Sequence, residues 1–71
     1  MDDKIEFAIF CIENVAEKMN TDGEKVYVAL AEKSDILENY IMEDYDVLHT
    51  QCKEYIVDDI IATMKVKGVS I

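Results

Sequence analysis

Ile5-Glu6-Phe7-Ala8-Ile9-Phe10-Cys11-Ile12-Glu13-Asn14-Val15-Ala16-Glu17-Lys18-Met19 is the stretch on which the fold turns. Its residues Ile5, Ile9, Ile12, Ala16 and Met19 recur at three- and four-residue spacing, the pattern of one buried helix face. Phe7, Phe10, Cys11 and Val15 widen that stripe, and a helix apolar over so much of its circumference belongs in the middle of a bundle. Asp2 or Asp3 can supply its N-cap. The uninterrupted apolar run, Phe7 to Ile12, is bounded by Glu6 and Glu13. It is far short of the roughly 18 residues a membrane span requires, and no signal-peptide core is visible. The expectation is a soluble, cytoplasmic chain with no membrane association.

Outward from this helix the punctuation is sparse: proline is absent and glycine occurs only at positions 23 and 68. Helices should therefore dominate. Thr21 and Glu24 stand at the spacing of a reciprocal capping box, which predicts a second helix to about Lys33 burying Val26, Tyr27, Leu30 and Ala31. Ser34 or Asp35 caps a third, short helix ending near Met42, with Ile36, Leu37, Tyr40 and Ile41 facing inward. Tyr45, Val47 and Leu48 read as one short turn. Thr50 then offers a cap for a last helix from Gln51 to Met64, burying Tyr55, Ile56, Ile60, Ile61 and Met64. From Met64 to Ile71 apolar and polar residues alternate on a tail too short to form a sheet alone. The expected architecture is all-α, a single helical domain over residues 1–71, built as a small bundle of about four helices with a short C-terminal tail, frayed over about 65–71.

With 71 residues and 8.2 kDa, the chain is one domain at most. Size scaling takes about 11,900 Å² of unfolded surface to about 4,500 Å² when folded. Apolar burial then contributes about 110 kcal/mol, against about 107 kcal/mol for ordering the chain. The near cancellation makes association natural, and homodimerisation is expected, with Phe7 and Phe10 lying outside the narrow stripe of the first helix.

Sixteen acids face seven lysines and no arginine, for a net charge of -9. The distribution is uneven: residues 1–34 carry -4, residues 35–59 carry -7 and residues 60–71 carry +2. Such a surface repels phosphate backbones, so direct nucleic-acid binding is not expected, and the complementary partner is a protein with a basic surface. The 51% hydrophobic content separates the chain from disordered acidic tails. Cys11 in an apolar helix and Cys52 in a polar turn read as thiols, and no four-ligand zinc set is present.

Chemistry-bearing groups are few. Asp46, His49 and Cys52 have the spacing of a minimal metal set, yet a lone histidine near a helix end more often bonds a carbonyl, so no metal or other cofactor is expected. Carboxylates such as Glu54 and Asp58 stand one turn apart, but a domain of this size offers little cleft in which to split their pKa values, and no catalytic residue is assigned. A helix-turn-helix reading of the second and third helices fails at Asp35 to Met42, which carries acids and no base where a recognition helix needs cations.

The stretch Tyr45-Asp46-Val47-Leu48-His49-Thr50-Gln51, followed by Glu54-Tyr55-Ile56-Val57-Asp58-Asp59-Ile60, resembles a family of small bacterial proteins grouped as domain of unknown function 3791. Glu6-Phe7-Ala8-Ile9-Phe10-Cys11-Ile12-Glu13 and Gly23-Glu24-Lys25-Val26-Tyr27 also match, so the resemblance covers about residues 4 to 62. Cys52 stands where the pattern has glycine. The resemblance implies a helical cytoplasmic protein without an assigned activity, often encoded beside proteins with an ADP-ribosyltransferase-like domain. An arrangement of that kind suggests a toxin and its neutralising partner.

The function expected from these readings is a non-enzymatic protein-interaction module, an antitoxin or accessory partner of an ADP-ribosyltransferase-like protein. It would bind through an acidic 43–59 surface made of Asp44, Tyr45, Asp46, Glu54, Tyr55, Asp58 and Asp59. Leu48, His49 and Thr50 are expected to be structural, His49 as a buried imidazole holding the 43–50 turn. The alternative is a small regulator derived from a helix-turn-helix domain, acting as a DNA mimic or corepressor.

Overall fold

The first helix, α1, runs Asp3–Met19 in a computed structural model that describes residues 3–71. Asp3 is its first residue, so the cap expected at Asp2 lies outside the described residues. Its buried face is Phe7, Ala8, Cys11, Val15 and Ala16 rather than the expected isoleucine stripe. Ile5 and Ile9 are each 46% exposed, and Ile12 is half-buried. Both stripes have helical spacing, so periodicity cannot choose between them. The side carrying the small residues Ala8, Cys11 and Ala16 is the one that lets neighbouring backbones approach.

Asn20 ends α1 with φ +56°, and the N–H groups of Asn20 and Thr21 return to Glu17 O (3.2 Å) and Ala16 O (2.9 Å). This is the paired closure of a Schellman motif. It commits Thr21 to α1, so the expected capping box does not form: Asp22, in extended conformation, is the N-cap of the next helix and makes no side-chain cap bond.

That helix, α2, is regular over Gly23–Tyr27 and widens to π geometry over Val28–Glu32. The wider turn closes with Lys33 N–H donating to Val28 O at 2.9 Å. It turns Ala29 inward beside Val26 and Leu30. Tyr27, expected inside, is 45% exposed, and Ala31 is half-buried. Ser34 manages the exit: its hydroxyl contacts Ala29 O (2.9 Å) and Leu30 O (3.2 Å) and accepts Ile36 N–H at 3.3 Å. Ser34, one of the two residues expected to cap the third helix, thus holds the Ile36 N–H, but the N-cap is Ile36 itself and makes no side-chain cap bond.

Helix α3, Leu37–Met42, again has π geometry, with Ile36 and Ile41 buried and Leu37, Tyr40 and Met42 packed at the edge of the core. Helix α4, Tyr45–Leu48, buries Leu48. Helix α5 spans Lys53–Val66 and buries Ile56, Val57, Ile60 and Met64. Val57 therefore takes the place expected for Tyr55, which is 53% exposed. Thr50 does not cap α5. Its Oγ1 donates to Val47 O at 2.7 Å, finishing α4, while Gln51 and Cys52 carry the chain to an N-terminus without a side-chain cap.

The C-terminal end departs from the expected tail. Helix α5 runs two residues past Met64, and Gly68 takes φ +71°. Gly68 N–H then reaches Lys65 O (3.2 Å) and Val69 N–H reaches Met64 O (2.8 Å), a second Schellman closure. Val69 packs against the core, Lys67 pairs with Asp35 at 3.2 Å and Lys33 Nζ donates to Ser70 O at 3.3 Å. The alternation after Met64 is therefore a helix terminus folded back on the bundle, not a strand.

α1 packs against α2, α3 and α5, and the buried side chains of all five helices form one cluster. No strand occurs among the described residues, so the fold is all-α. The surface of 4556 Å² meets the size expectation. Among the described residues no helix is long and apolar enough to cross a membrane.

Candidate functional site

An aromatic row joins α1 to α4. Phe10 stacks on Phe7 with centroids 6.2 Å apart, Phe7 meets Tyr45 edge-on at 5.4 Å, and Tyr45 stacks on His49 at 4.5 Å and 10°. The inner rings are the covered ones: Phe7 is 9% exposed and Tyr45 half-buried. The outer rings, Phe10 and His49, face solvent. Edge and offset-stacked pairs at these separations hold beyond the area they bury, which explains how a helix as short as α4 is fixed.

His49 is exposed, which corrects the expectation of a buried imidazole. Its Nδ1 lies 2.7 Å from Tyr45 O. A carbonyl can only accept, so Nδ1 carries the proton and the bond runs to the backbone, not to Asp46. Leu48, the buried member of the expected structural trio, anchors the turn.

The predicted partner-binding residues divide between faces. Tyr45 lines an open groove of about 340 Å³ with Phe10, His49, Asp3, Glu6 and Gln51. Glu54 and Asp58 line a second groove of about 230 Å³ between α1 and α5, opposite Asn14, Glu17 and Lys18. Asp58 pairs there with Lys18 at 3.8 Å. Tyr55 and Asp59 lie one turn apart on another side of α5, and Asp44 and Asp46 are exposed around α4. The acidic segment is thus not one patch, because a helix distributes consecutive acids around its axis. Asp3, Glu6 and Phe10 were missed as site residues. Their signal is positional, since residues 3, 6, 7 and 10 share one face of α1.

No polar or charged residue is buried among the described residues. Every carboxylate described is exposed except that of Asp59, which is half-buried. The Asp35 carboxyl is held below its ordinary range by a hydrogen bond from Asn39 and by Lys67. Burial pushes the Cys11 thiol up to about 12, so it stays protonated and inert at neutral pH. No group of three or more histidine, cysteine, aspartate or glutamate side chains could hold a metal ion among the described residues, so Asp46, His49 and Cys52 do not assemble as a ligand set.

Geometry therefore defines a small acidic all-α protein with no fully buried polar residue among the described residues. The chain belongs to the family described as protein of unknown function (DUF3791), whose model matches residues 6–67. No curated protein and no solved structure matches it significantly.

Proposed function

We propose that the chain is a non-enzymatic protein-interaction module acting in the cytoplasm, with a basic protein as its partner. The observation that carries this reading is the separation of charge from core. All buried side chains among the described residues are apolar, and the 71-residue chain carries a net charge of -9. Charge of that density steers and selects a partner of opposite sign while contributing nothing to packing. Within this reading the partner is an ADP-ribosyltransferase-like protein and the chain its antitoxin or accessory subunit, as the genomic arrangement attributed to the family suggests. Self-association belongs to the same proposal. Phe7 is buried, so the self-contact would be made by Ile5 and Ile9, one turn apart and half exposed on α1.

Affinity capture from the native host at physiological salt, followed by mass spectrometry, tests the reading. A stoichiometric basic protein, released by Glu54→Lys with Asp58→Lys, is the expected result. Failure to retain any basic protein would overturn it, and capture of a basic DNA-binding regulator would favour a DNA mimic or corepressor. A sedimentation mass of 8.2 kDa at high concentration would remove self-association.

A further inference from the structure

The aromatic row is more than an attachment for α4. Its inner rings do the packing, while Phe10, at 40% exposure, and His49 present ring surface to solvent on a face edged by carboxylates. A phenylalanine left this open contributes little to the core, and a solvent-facing ring beside acids is an arrangement that favours cations. Asp3 and Glu6 have a conventional task, offsetting the positive end of the α1 dipole. That end amounts to only about half a charge, and both carboxylates also line the groove, whose lining carries no lysine.

We propose that the groove floored by Phe7, Phe10 and Tyr45 and edged by Asp3, Glu6 and His49 receives an arginine side chain of the basic partner. This rests on the interaction-module reading and names its anchor point. Arginine fits better than lysine because its planar guanidinium stacks on a ring face while its N–H fork reaches carboxylates, whereas an ammonium is a compact, strongly hydrated point charge. His49 adds to the fit. Its Nδ1 is held by Tyr45 O and its ring lies flat on Tyr45 at 4.5 Å, which extends the aromatic surface of the groove. The groove of about 340 Å³ is open at the surface and accommodates a side chain carried on a partner segment.

The test compares blocked hexa-arginine and hexa-lysine peptides, titrated into ¹⁵N-labelled full-length protein at about 0.1 M salt, where charges beyond about 10 Å are screened. Hexa-arginine should bind more tightly than hexa-lysine, with amide shifts concentrated at residues 3–10 and 45–51. Phe10→Leu keeps an apolar side chain but removes the ring, and should weaken hexa-arginine binding by about two- to fivefold while leaving hexa-lysine nearly unchanged. Glu6→Gln should weaken both peptides, and Glu54→Gln with Asp58→Asn, on the other groove, should not alter the arginine preference. Circular dichroism melts of each variant verify the fold. Equal affinity for the two peptides, or an arginine preference that survives Phe10→Leu, overturns the groove and leaves the acidic-surface reading standing. Absence of binding by either peptide overturns the basic-partner reading as well.

Discussion

The two glycines make the same substitution run in opposite directions. Gly68 has φ +71°, and a Cβ built on it meets nothing within 4 Å, so Gly68→Ala tests backbone conformation with no steric contribution. An L residue in the left-handed region costs roughly 1–2 kcal/mol. Alanine also narrows the unfolded ensemble, which returns about 0.4–1 kcal/mol. The net loss is about 1 kcal/mol, which for a domain of this size lowers Tm by about 4–8 °C. Gly23, at the start of α2, has no such φ. Its added methyl would sit 3.7 Å from Ile12 Cγ2, ordinary van der Waals contact. Gly23→Ala should therefore raise stability by about 0.5 kcal/mol, from the helix preference of alanine. Gly68→Asn should fall between wild type and Gly68→Ala, because asparagine already holds the same conformation at position 20. Thermal melts by circular dichroism give the ranking, and amide exchange at Val69 reports whether its N–H still bonds Met64 O. A Gly68→Ala protein that melts at or above the wild-type temperature would refute the closure of α5, and with it the docking of Val69.

Three further outcomes follow from burial. Ellman titration should show one thiol reacting at once, Cys52, and a second, Cys11, only in denaturant; above about pH 9 the unfolded state ionises Cys11 while the native state holds it protonated to about 12, so stability falls by about 1.4 kcal/mol per pH unit over that window. Cys11→Ala should remove that slope in alkaline denaturant melts. His49→Ala should cost about 0.5–1 kcal/mol, since an exposed ring loses one backbone bond and one stack but strands nothing buried; a loss above about 2 kcal/mol in urea melts would restore the buried role. Leu30→Ala empties a fully buried position and should cost about 2–5 kcal/mol, enough to bring a chain of this length to the edge of unfolding at 37 °C, as its amide spectrum would show.

How much of this was legible in the sequence depended on which physics set each feature. Helix existence was readable throughout, because spacing and the scarcity of glycine and proline are local properties. Ile36 and Ile41 as core residues came directly from them. Which side of α1 is buried was not readable, since two stripes have equal periodicity and only the approach of α2, α3 and α5 selects one. Tyr27 escaped for a different reason: the turn widens just after it, over Val28–Glu32, and a 3.6-residue wheel misplaces a segment that is not 3.6-periodic. Thr21 and Thr50 each have the spacing of a cap for the helix that follows, whereas each closes the helix that precedes it.

The candidate site follows the same division. Tyr45, Glu54 and Asp58 were legible as residue types, since aromatics and acids at a surface mark contact chemistry. Their grouping was not, because it depends on which helix lies opposite. Tyr45 faces the first two turns of α1, and Glu54 and Asp58 face its last two. This partition makes one long helix the shared wall of two differently charged grooves: one has Asp3 and Glu6 on its edge, the other has Lys18 and Lys53 among its acids. A basic side chain entering the second must displace the Lys18–Asp58 pair, while Phe10 and Glu6 offer the first a cation site without a lysine on its lining. If a basic partner engages both, specificity should come from the aromatic groove, where ring geometry discriminates. The α1–α5 groove would add charge complementarity, which salt screens.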